Sequence, residues 1–353
     1  MATIKEVAKR AGVSVGTVSN VLSRTVRVSP QLVERVSKAV RELDYHPNHV
    51  ARSLKIKQTK MLGMVIPDIT NPFFPQIVRG AEDAAMKNGY LLVTFNTDDH
   101  TEREKEVLSV LRSRRTDGIL LVTARDTIDV SHVTGTIEAG IPVLCLDRIP
   151  NKLKVDSVTV DNVKGVQVCI RHLISMGHRR IAIITGAMRL RTAIDRLKGY
   201  KMALKEAGLK IDPELIKEGD FRVEGGYQGA KELLLQRDRP SALFVSNGMM
   251  TLGVLRALEE IGLQCPGDIA VATFDDLAIA DVFRPHLTAV AQPAYAIGCR
   301  GAEILIERLE GRIDSNKVLR VQLDPELKIR ESTFGYRIGG GQAERRHPTD
   351  RPS

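Results

Sequence analysis

The sequence predicts a small all-α helix-turn-helix unit at the N-terminus, a short connecting helix, and then a two-lobed α/β body built on parallel sheets. Three observations predict it. Residues 3–43 place apolar side chains at helical spacing between recognisable caps. From Met61 onward, Val/Ile/Leu runs alternate with amphipathic stretches, and this pattern restarts near Val158. The positive charge is also unevenly spread: of the net +9 over 353 residues, residues 1–60 hold 12 Lys and Arg against 4 Asp and Glu, residues 61–335 hold 36 against 37, and residues 336–353 hold 4 against 2.

The head is legible residue by residue. Thr3 and Glu6 form a capping-box pair, so a helix begins there with Ile4, Val7, Ala8 and Ala11 on one face, and Gly12 ends it. Ser14 is suited to cap a second helix whose Val18, Val21 and Leu22 pack back on the first. Two short helices joined by a tight glycine turn make a helix-turn-helix, whose second helix presents its outward residues to the major groove of DNA. Those residues are Val15, Gly16, Thr17, Ser19 and Asn20. The concentration of basic charge in the same segment agrees, because a phosphate polyanion rewards a clustered patch through counterion release. A third helix is predicted from Ser29, as N-cap, and Pro30 at its first position, through Val33, Val36, Val40 and Leu43.

Pro47 breaks the chain. Residues 48–55 are a helical candidate carrying Val50, Ala51 and Leu54 with little to pack against, and an isolated helix of about eight residues is marginal in water. This segment is expected to order only when something holds it.

In the body, strands are predicted at 62–66, 91–95, 118–122 and 142–146, with helices at 75–87 and 102–114. A second unit is read as opening with a strand at 158–160 and continuing through 181–184, 243–245 and 269–273. Continuous apolar strands spaced by helices indicate parallel sheets covered on both faces, hence two doubly wound units in succession. Ligands of such folds sit beyond the carboxyl ends of the strands, and a cleft between two lobes suits a small molecule. The tail at 337–353, with Gly339, Gly340 and Gly341, lacks apolar periodicity and is expected to be disordered. The expected division is therefore a head over 1–46, a hinge over 47–60, a two-lobed body over 61–335 and a tail over 336–353.

Composition excludes other classes. Cys145, Cys169, Cys265 and Cys299 are far apart and form no Cys/His cluster, so they read as buried thiols of a reducing compartment and no metal site is expected. No apolar run approaches a membrane span of about 18 residues, and no leader precedes the first motif; a soluble, cytoplasmic protein is expected. The chain has no HExxH, P-loop, GxSxG or dinucleotide fingerprint, so neither enzymatic activity nor a cofactor is expected. His178, before a strand in Gly177-His178-Arg179-Arg180, reads as structural. The competing class is a solute-binding protein of a transporter, which the DNA-binding signature at the N-terminus disfavours.

An ordered set of motifs adds to this. Ala11-Gly12-Val13-Ser14 with Thr17-Val18-Ser19, Tyr45-His46-Pro47-Asn48 with Ala51-Arg52-Ser53-Leu54, Ile66-Pro67-Asp68 with Asn71-Pro72-Phe73-Phe74, Asp147-Arg148, Gly177-His178-Arg179, Phe274-Asp275-Asp276 and Gln292-Pro293 together resemble the lactose-repressor (LacI/GalR) family of transcription regulators, over about residues 3–335. The resemblance implies that Val15, Gly16 and Asn20 face bases and that Thr17 and Ser19 bond phosphates. It also implies that Leu54 is an apolar wedge entering the minor groove, with Asn48 and Ala51 flanking it. Asn20 can pair bidentately with adenine, worth about 1–3 kcal/mol of discrimination, whereas Val15 and Gly16 offer only methyl contact or close approach. A wedge is offset by the contacts that a kinked duplex allows.

The body is similar to sugar-binding periplasmic proteins. By that resemblance an effector cleft would use Asn71, Phe73, Phe74, Asp147, Arg148, Arg191, Thr192, Phe221, Asn247, Asp275 and Gln292, with Arg189 the alternative to Arg191, and Gly248 stands where the family often has Asp. Carboxylates and Arg for adjacent hydroxyls, with aromatic faces for C–H surfaces, suit a sugar or related polyol. The implied function is a repressor that binds a pseudopalindromic operator as a homodimer under control of a small effector.

Overall fold

The computed structural model describes residues 2–23, 28–45, 58–124, 129–150, 153–277, 282, 284–314 and 317–334. They fall into two compact units that divide between Thr59 and Lys60. The expected hinge helix with Asn48, Ala51 and Leu54, and the expected tail, lie outside the described residues.

The head contains α1 (Ile4–Ala11), α2 (Val15–Ser23) and α3 (Pro30–Glu42). Both halves of the capping box form: the Thr3 hydroxyl accepts from the Glu6 amide at 3.4 Å, and the Thr3 amide donates to Glu6 Oε2 at 2.6 Å. Val7, Ala8, Ala11, Val18, Val36 and Ala39 make the buried core; α1 and α2 contribute the face their spacing announced, whereas α3 buries Val36 and Ala39 and leaves the expected Val33 exposed. Ser14 caps α2 by accepting from the Thr17 amide at 3.1 Å. Ser29 stands before α3 but makes no side-chain cap; Pro30, with its fixed φ, opens that helix instead.

Gly12 closes α1 in the left-handed region at φ 63°, and a Cβ there would lie 2.7 Å from Arg35 Nη2. That nitrogen donates to the Ala11 and Gly12 carbonyls at 2.6 and 3.2 Å, tying α3 to the turn.

The body opens with β1 (Met61–Ile66), α4 (Phe73–Lys87), β2 (Leu91–Asn96), α5 (Thr101–Ser113), β3 (Gly118–Leu121), α6 (Ser131–Glu138), β4 (Val143–Leu146) and β5 (Asp156–Val160). It continues through α7 (Asn162–Ser175), β6 (Ile181–Thr185), α8 (Arg191–Glu206), β7 (Ile216–Glu218), α9 (Val223–Leu234), β8 (Ala242–Val245), α10 (Gly248–Ile261), β9 (Ala270–Phe274) and β10 (Thr288–Ala291). The last elements are α11 (Ala294–Leu309), β11 (Arg320–Leu323) and β12 (Glu326–Lys328).

The two sheets have matching orders, β2-β1-β3-β4-β5-β11 and β7-β6-β8-β9-β10-β12. All pairings are parallel except β10 with β12. Each lobe is thus a doubly wound unit whose order reverses beside its first strand, the place where such folds bind ligands.

Several expectations need correction. The strand near 158–160 does not open the second lobe: β5 pairs with β4 in the first sheet, Leu146 opposite Val158, and the chain leaves that sheet only at Asp161. The strands β7, β10, β11 and β12 were not anticipated: they are only three or four residues long, and β7, β11 and β12 contain no fully buried residue, so they lack the apolar runs that marked the other strands. The run at 91–95 is an edge strand rather than a buried one, with Leu91 60% exposed. Because α11 packs on α4 and β3 in the first lobe, the chain passes between lobes three times: after β5, after β10 and after β11.

His178 is buried, its Nδ1 3.0 Å from the Ser241 hydroxyl, and burial lowers its pKa to about 4. This neutral core imidazole fits the structural role its position suggested.

Gly12→Ala forces a side chain into a left-handed position, which costs about 1–2 kcal/mol, and crowds Arg35. In the full chain, amide exchange over α1 and α2 should quicken by about 5–30-fold. An unchanged rate would contradict the role given to this turn.

Candidate functional site

Sheet order brings one set of side chains to the cleft between the lobes. Asn71, Phe73 and Phe74 follow β1, while Asp147 and Arg148 follow β4. From the second lobe come Thr192 and Arg196 on α8, Phe221 after β7, Asn247 after β8 and Asp275 after β9. Gln292 lies on the crossing segment after β10. These eleven residues line one cleft, whose empty space of about 290 Å³ includes the open solvent at its mouth.

The two lobes present their acids in the same way. Asp147 and Asp275 each directly follow a strand and take left-handed backbone conformations, at φ 59° and 76°. Their amides donate to the neighbouring strand, Asp147 to the Val158 carbonyl and Asp275 to the Val290 carbonyl, both at 3.0 Å. Both side chains are turned into the cleft and buried. Such a conformation costs energy in any residue with a Cβ, though less in Asp, and strain of this kind collects at functional sites.

Opposite charges hold the acids in place. Arg148 donates to Asp99 Oδ1 at 2.8 Å and to the Thr123 carbonyl at 3.3 Å, and its Nε lies 3.8 Å from Asp147 Oδ2. Arg196 donates to Asn162 Oδ1 at 2.8 Å and to the Ser246 carbonyl, with its guanidinium 3.7 Å above the Phe274 ring. Gln292 Nε2 donates to Asp275 Oδ1 at 2.6 Å, and the Gly248 amide approaches Asp275 Oδ2 at 3.4 Å. Asp147 Oδ1 and Gln292 Oε1 are buried acceptors that no donor among the described residues reaches. A ligand rich in donors would satisfy them.

Aromatic surface completes the lining. Phe73 and Phe74 meet edge to face, 5.2 Å between centroids, an arrangement worth about 0.5–1.5 kcal/mol beyond burial. Phe221 is left-handed at φ 64°, its carbonyl accepting from Asn247 Nδ2 at 3.0 Å while Asn247 Oδ1 caps α10 at the Met250 amide. Asn247 is thus engaged as cap and brace. Asn71 makes a similar local turn, Oδ1 accepting from the Phe73 amide at 3.2 Å.

One expected residue is misplaced. Arg191 opens α8 with an exposed side chain paired to Asp195 at 2.9 Å, and it does not line the cavity. Nor does the alternative, Arg189. The arginine in the cleft is Arg196, one turn beyond Thr192 on the same face of α8. Helical spacing from Thr192 was the signal that could have found it.

On the head, Val15, Gly16 and Ser19 are exposed, and Thr17 and Asn20 are half-buried. The Thr17 hydroxyl lies 2.9 Å from that of Ser14. Among the described residues no group of three or more His, Cys, Asp or Glu could hold a metal ion, and no helix is long and apolar enough to cross a membrane.

Burial raises the pKa of Asp147, with the nearby Asp275 adding to the shift and Arg148 and Arg196 working against it. A raised native pKa means that ionisation costs native stability once pH exceeds it, and the cost disappears below the unfolded value of about 4. Asp147→Asn removes that cost. Its melting temperature at neutral pH should exceed that of the parent, with the gap closing on acidification. A lower melting temperature at neutral pH would contradict this.

Comparison with known proteins gives the same answer at both ends of the chain. Residues 3–48 match the family of bacterial regulatory proteins, lacI family, and residues 170–333 match the periplasmic binding protein-like domain. The HTH-type transcriptional repressor PurR of Histophilus somni (strain 129Pt) is 35% identical over 332 residues, covering 94% of this chain and 99% of that protein. Among solved structures, the lac repressor dimer bound to operator and the anti-inducer ONPF is 28% identical with a TM-score of 0.83, covering 95% of this chain and 99% of that one. A complex of the transcriptional regulator CelR with cellobiose is 31% identical with a TM-score of 0.72, covering 94% and 100%. The head, the two-lobed body and these likenesses together mean that the chain belongs to the lacI family of bacterial regulatory proteins.

Proposed function

We propose that the protein is a cytoplasmic, sequence-specific repressor that binds a pseudopalindromic operator as a homodimer and is controlled by a sugar or related polyol held between its lobes. The proposed division of labour follows the chain: residues 1–46 read DNA, 47–60 form the hinge, 61–335 bind effector and dimerise, and 336–353 are a tail. PurR is named a repressor, the lac repressor structure contains an operator, and the CelR structure contains cellobiose. Carried to this chain, those functions agree with its own chemistry.

The observation that carries the effector reading is the composition of the cavity. Arg148 is already paired with buried Asp99, and Arg196 faces Asp147 and Asp275, so the lining holds no uncompensated positive charge and favours a neutral guest over a phosphate ester. Asp147 Oδ1 and Gln292 Oε1 await donors, which adjacent hydroxyls supply. Phe73, Phe74 and Phe221 offer ring surface to C–H faces.

On the DNA side, Val15 and Gly16 are proposed to rely on methyl contact and close approach, and Thr17 and Ser19 to bond phosphates. Asn20 is proposed to read one base, while Leu54, flanked by Asn48 and Ala51, wedges the minor groove. An effector that changes the separation of the lobes would change whether two hinge segments can order side by side, linking effector and operator reciprocally.

Thermal-shift screening of neutral sugars, polyols, sugar phosphates and heterocyclic bases tests the cleft. A neutral sugar or polyol should raise the melting temperature, since a ligand at 100 times its Kd adds about 2.7 kcal/mol. Stabilisation by bases or phosphates alone would overturn the assignment. Asn20→Ala should cost about 1–3 kcal/mol at one base pair per half-site and relax preference there. An equal loss on every sequence would make Asn20 a backbone contact.

A further inference from the structure

The first lobe buries a carboxylate that the cleft does not contain. Glu104, on α5, is fully buried, and removing a carboxylate from water is expensive unless each oxygen is partnered. Both oxygens are engaged. Oε2 accepts from the Ala124 amide at 2.6 Å, and Oε1 lies 2.7 Å from Nε2 of His132, which is largely buried on α6.

Ala124 lies just beyond the end of β3, where no strand neighbour is paired with its amide. The preceding residue, Thr123, offers its carbonyl to Arg148 Nη1 at 3.3 Å. A continuous path therefore runs from His132 through Glu104 to the Thr123–Ala124 peptide and on to the guanidinium that faces the cavity. Arg148 is also bonded to Asp99 at 2.8 Å, and its Nε lies 3.8 Å from Asp147 Oδ2.

We propose that Glu104 and His132 are positioning residues for Arg148: by gripping the Ala124 amide they set the carbonyl that aims the guanidinium into the cleft, and so set which guest the cleft accepts. The functional half of this statement rests on the reading of Arg148 as an effector contact. The geometric half does not, which separates the two in experiment. A charge-assisted bond to a backbone amide is short and directional, so it can hold a peptide plane where strand pairing has ended. Arginine placed this way meets hydroxyls in one geometry instead of sweeping the cavity, which makes the pair a determinant of selectivity.

Arginine-selective labelling of the full chain with phenylglyoxal, read by peptide mass mapping without ligand or DNA, tests the geometry. In the parent, Arg148 should react slowly. Glu104→Ala should speed its labelling by about tenfold, while Arg308, buried against Asp156 elsewhere in the same lobe, keeps its parental rate. Glu104→Gln should restore protection, because a carboxamide can accept from the Ala124 amide and donate to the imidazole. Equal exposure of Arg148 and Arg308 would reduce Glu104 to a general stabiliser of the lobe, and unchanged Arg148 labelling would remove the link; either overturns the proposal.

A measurement on the unmutated protein stands beside these in case Glu104→Ala does not fold. The Ala124 amide should exchange at least about 100-fold more slowly than an unprotected amide, and exchange at the unprotected rate would equally overturn the proposal. Should no sugar bind in the screen above, the effector reading falls while the labelling result still decides the positioning.

Discussion

The structure of the body depends on four buried charges, Asp147 and Arg148 from the first lobe and Arg196 and Asp275 from the second. None would be stable alone at that depth, and each is held by partners that the fold brings to the carboxyl ends of strands. The strain of two left-handed aspartates and the burial that raises the pKa of Asp147 are concentrated at this one place. A compact core could do without either.

Much of this was legible beforehand, for identifiable reasons. The head was readable almost to the residue because caps are local: Thr3 with Glu6, Gly12 and Ser14 act within three or four positions. The cleft residues came from the family resemblance, and the structure brings them together where a motif ends a strand, as at Asn71-Pro72-Phe73-Phe74, Asp147-Arg148 and Phe274-Asp275, since strand position fixes which way the next residues point. Arg196 was missed because the resemblance was followed into the loop after β6 without using the helix: with Thr192 in the cleft, a step of four residues along α8 turns position 196 inward and leaves 191 outside. The lobe boundary was misplaced for a similar reason. Whether a strand after β4 joins the first sheet or opens a second depends on pairing with Leu144 to Leu146, which no local pattern records. Strands as short as Glu326–Lys328 carry too little periodicity to be seen at all.

The architecture also accounts for how a small guest could matter at a distance. Three crossings join the lobes, after β5, β10 and β11, so movement of one lobe on the other is shared by several segments. Gln292 sits on one of these crossings and bonds Asp275 directly. Asn162, which opens α7 immediately after another, accepts from Arg196. The polar lining of the cleft is thus wired into the connections that any closure must bend. A guest that satisfies Asp147 Oδ1 and Gln292 Oε1 would favour one separation of the lobes over another, which is the differential interaction that coupling requires.

The central claim is that one chain carries two linked binding sites, a DNA-reading head and an interlobe cleft. The most direct test is to titrate the purified protein with labelled operator duplex, with and without the stabilising small molecule, and then to titrate the small molecule with and without operator. The account predicts that each ligand changes the affinity of the other by the same factor, about 5–150-fold. Two affinities that ignore one another would contradict it.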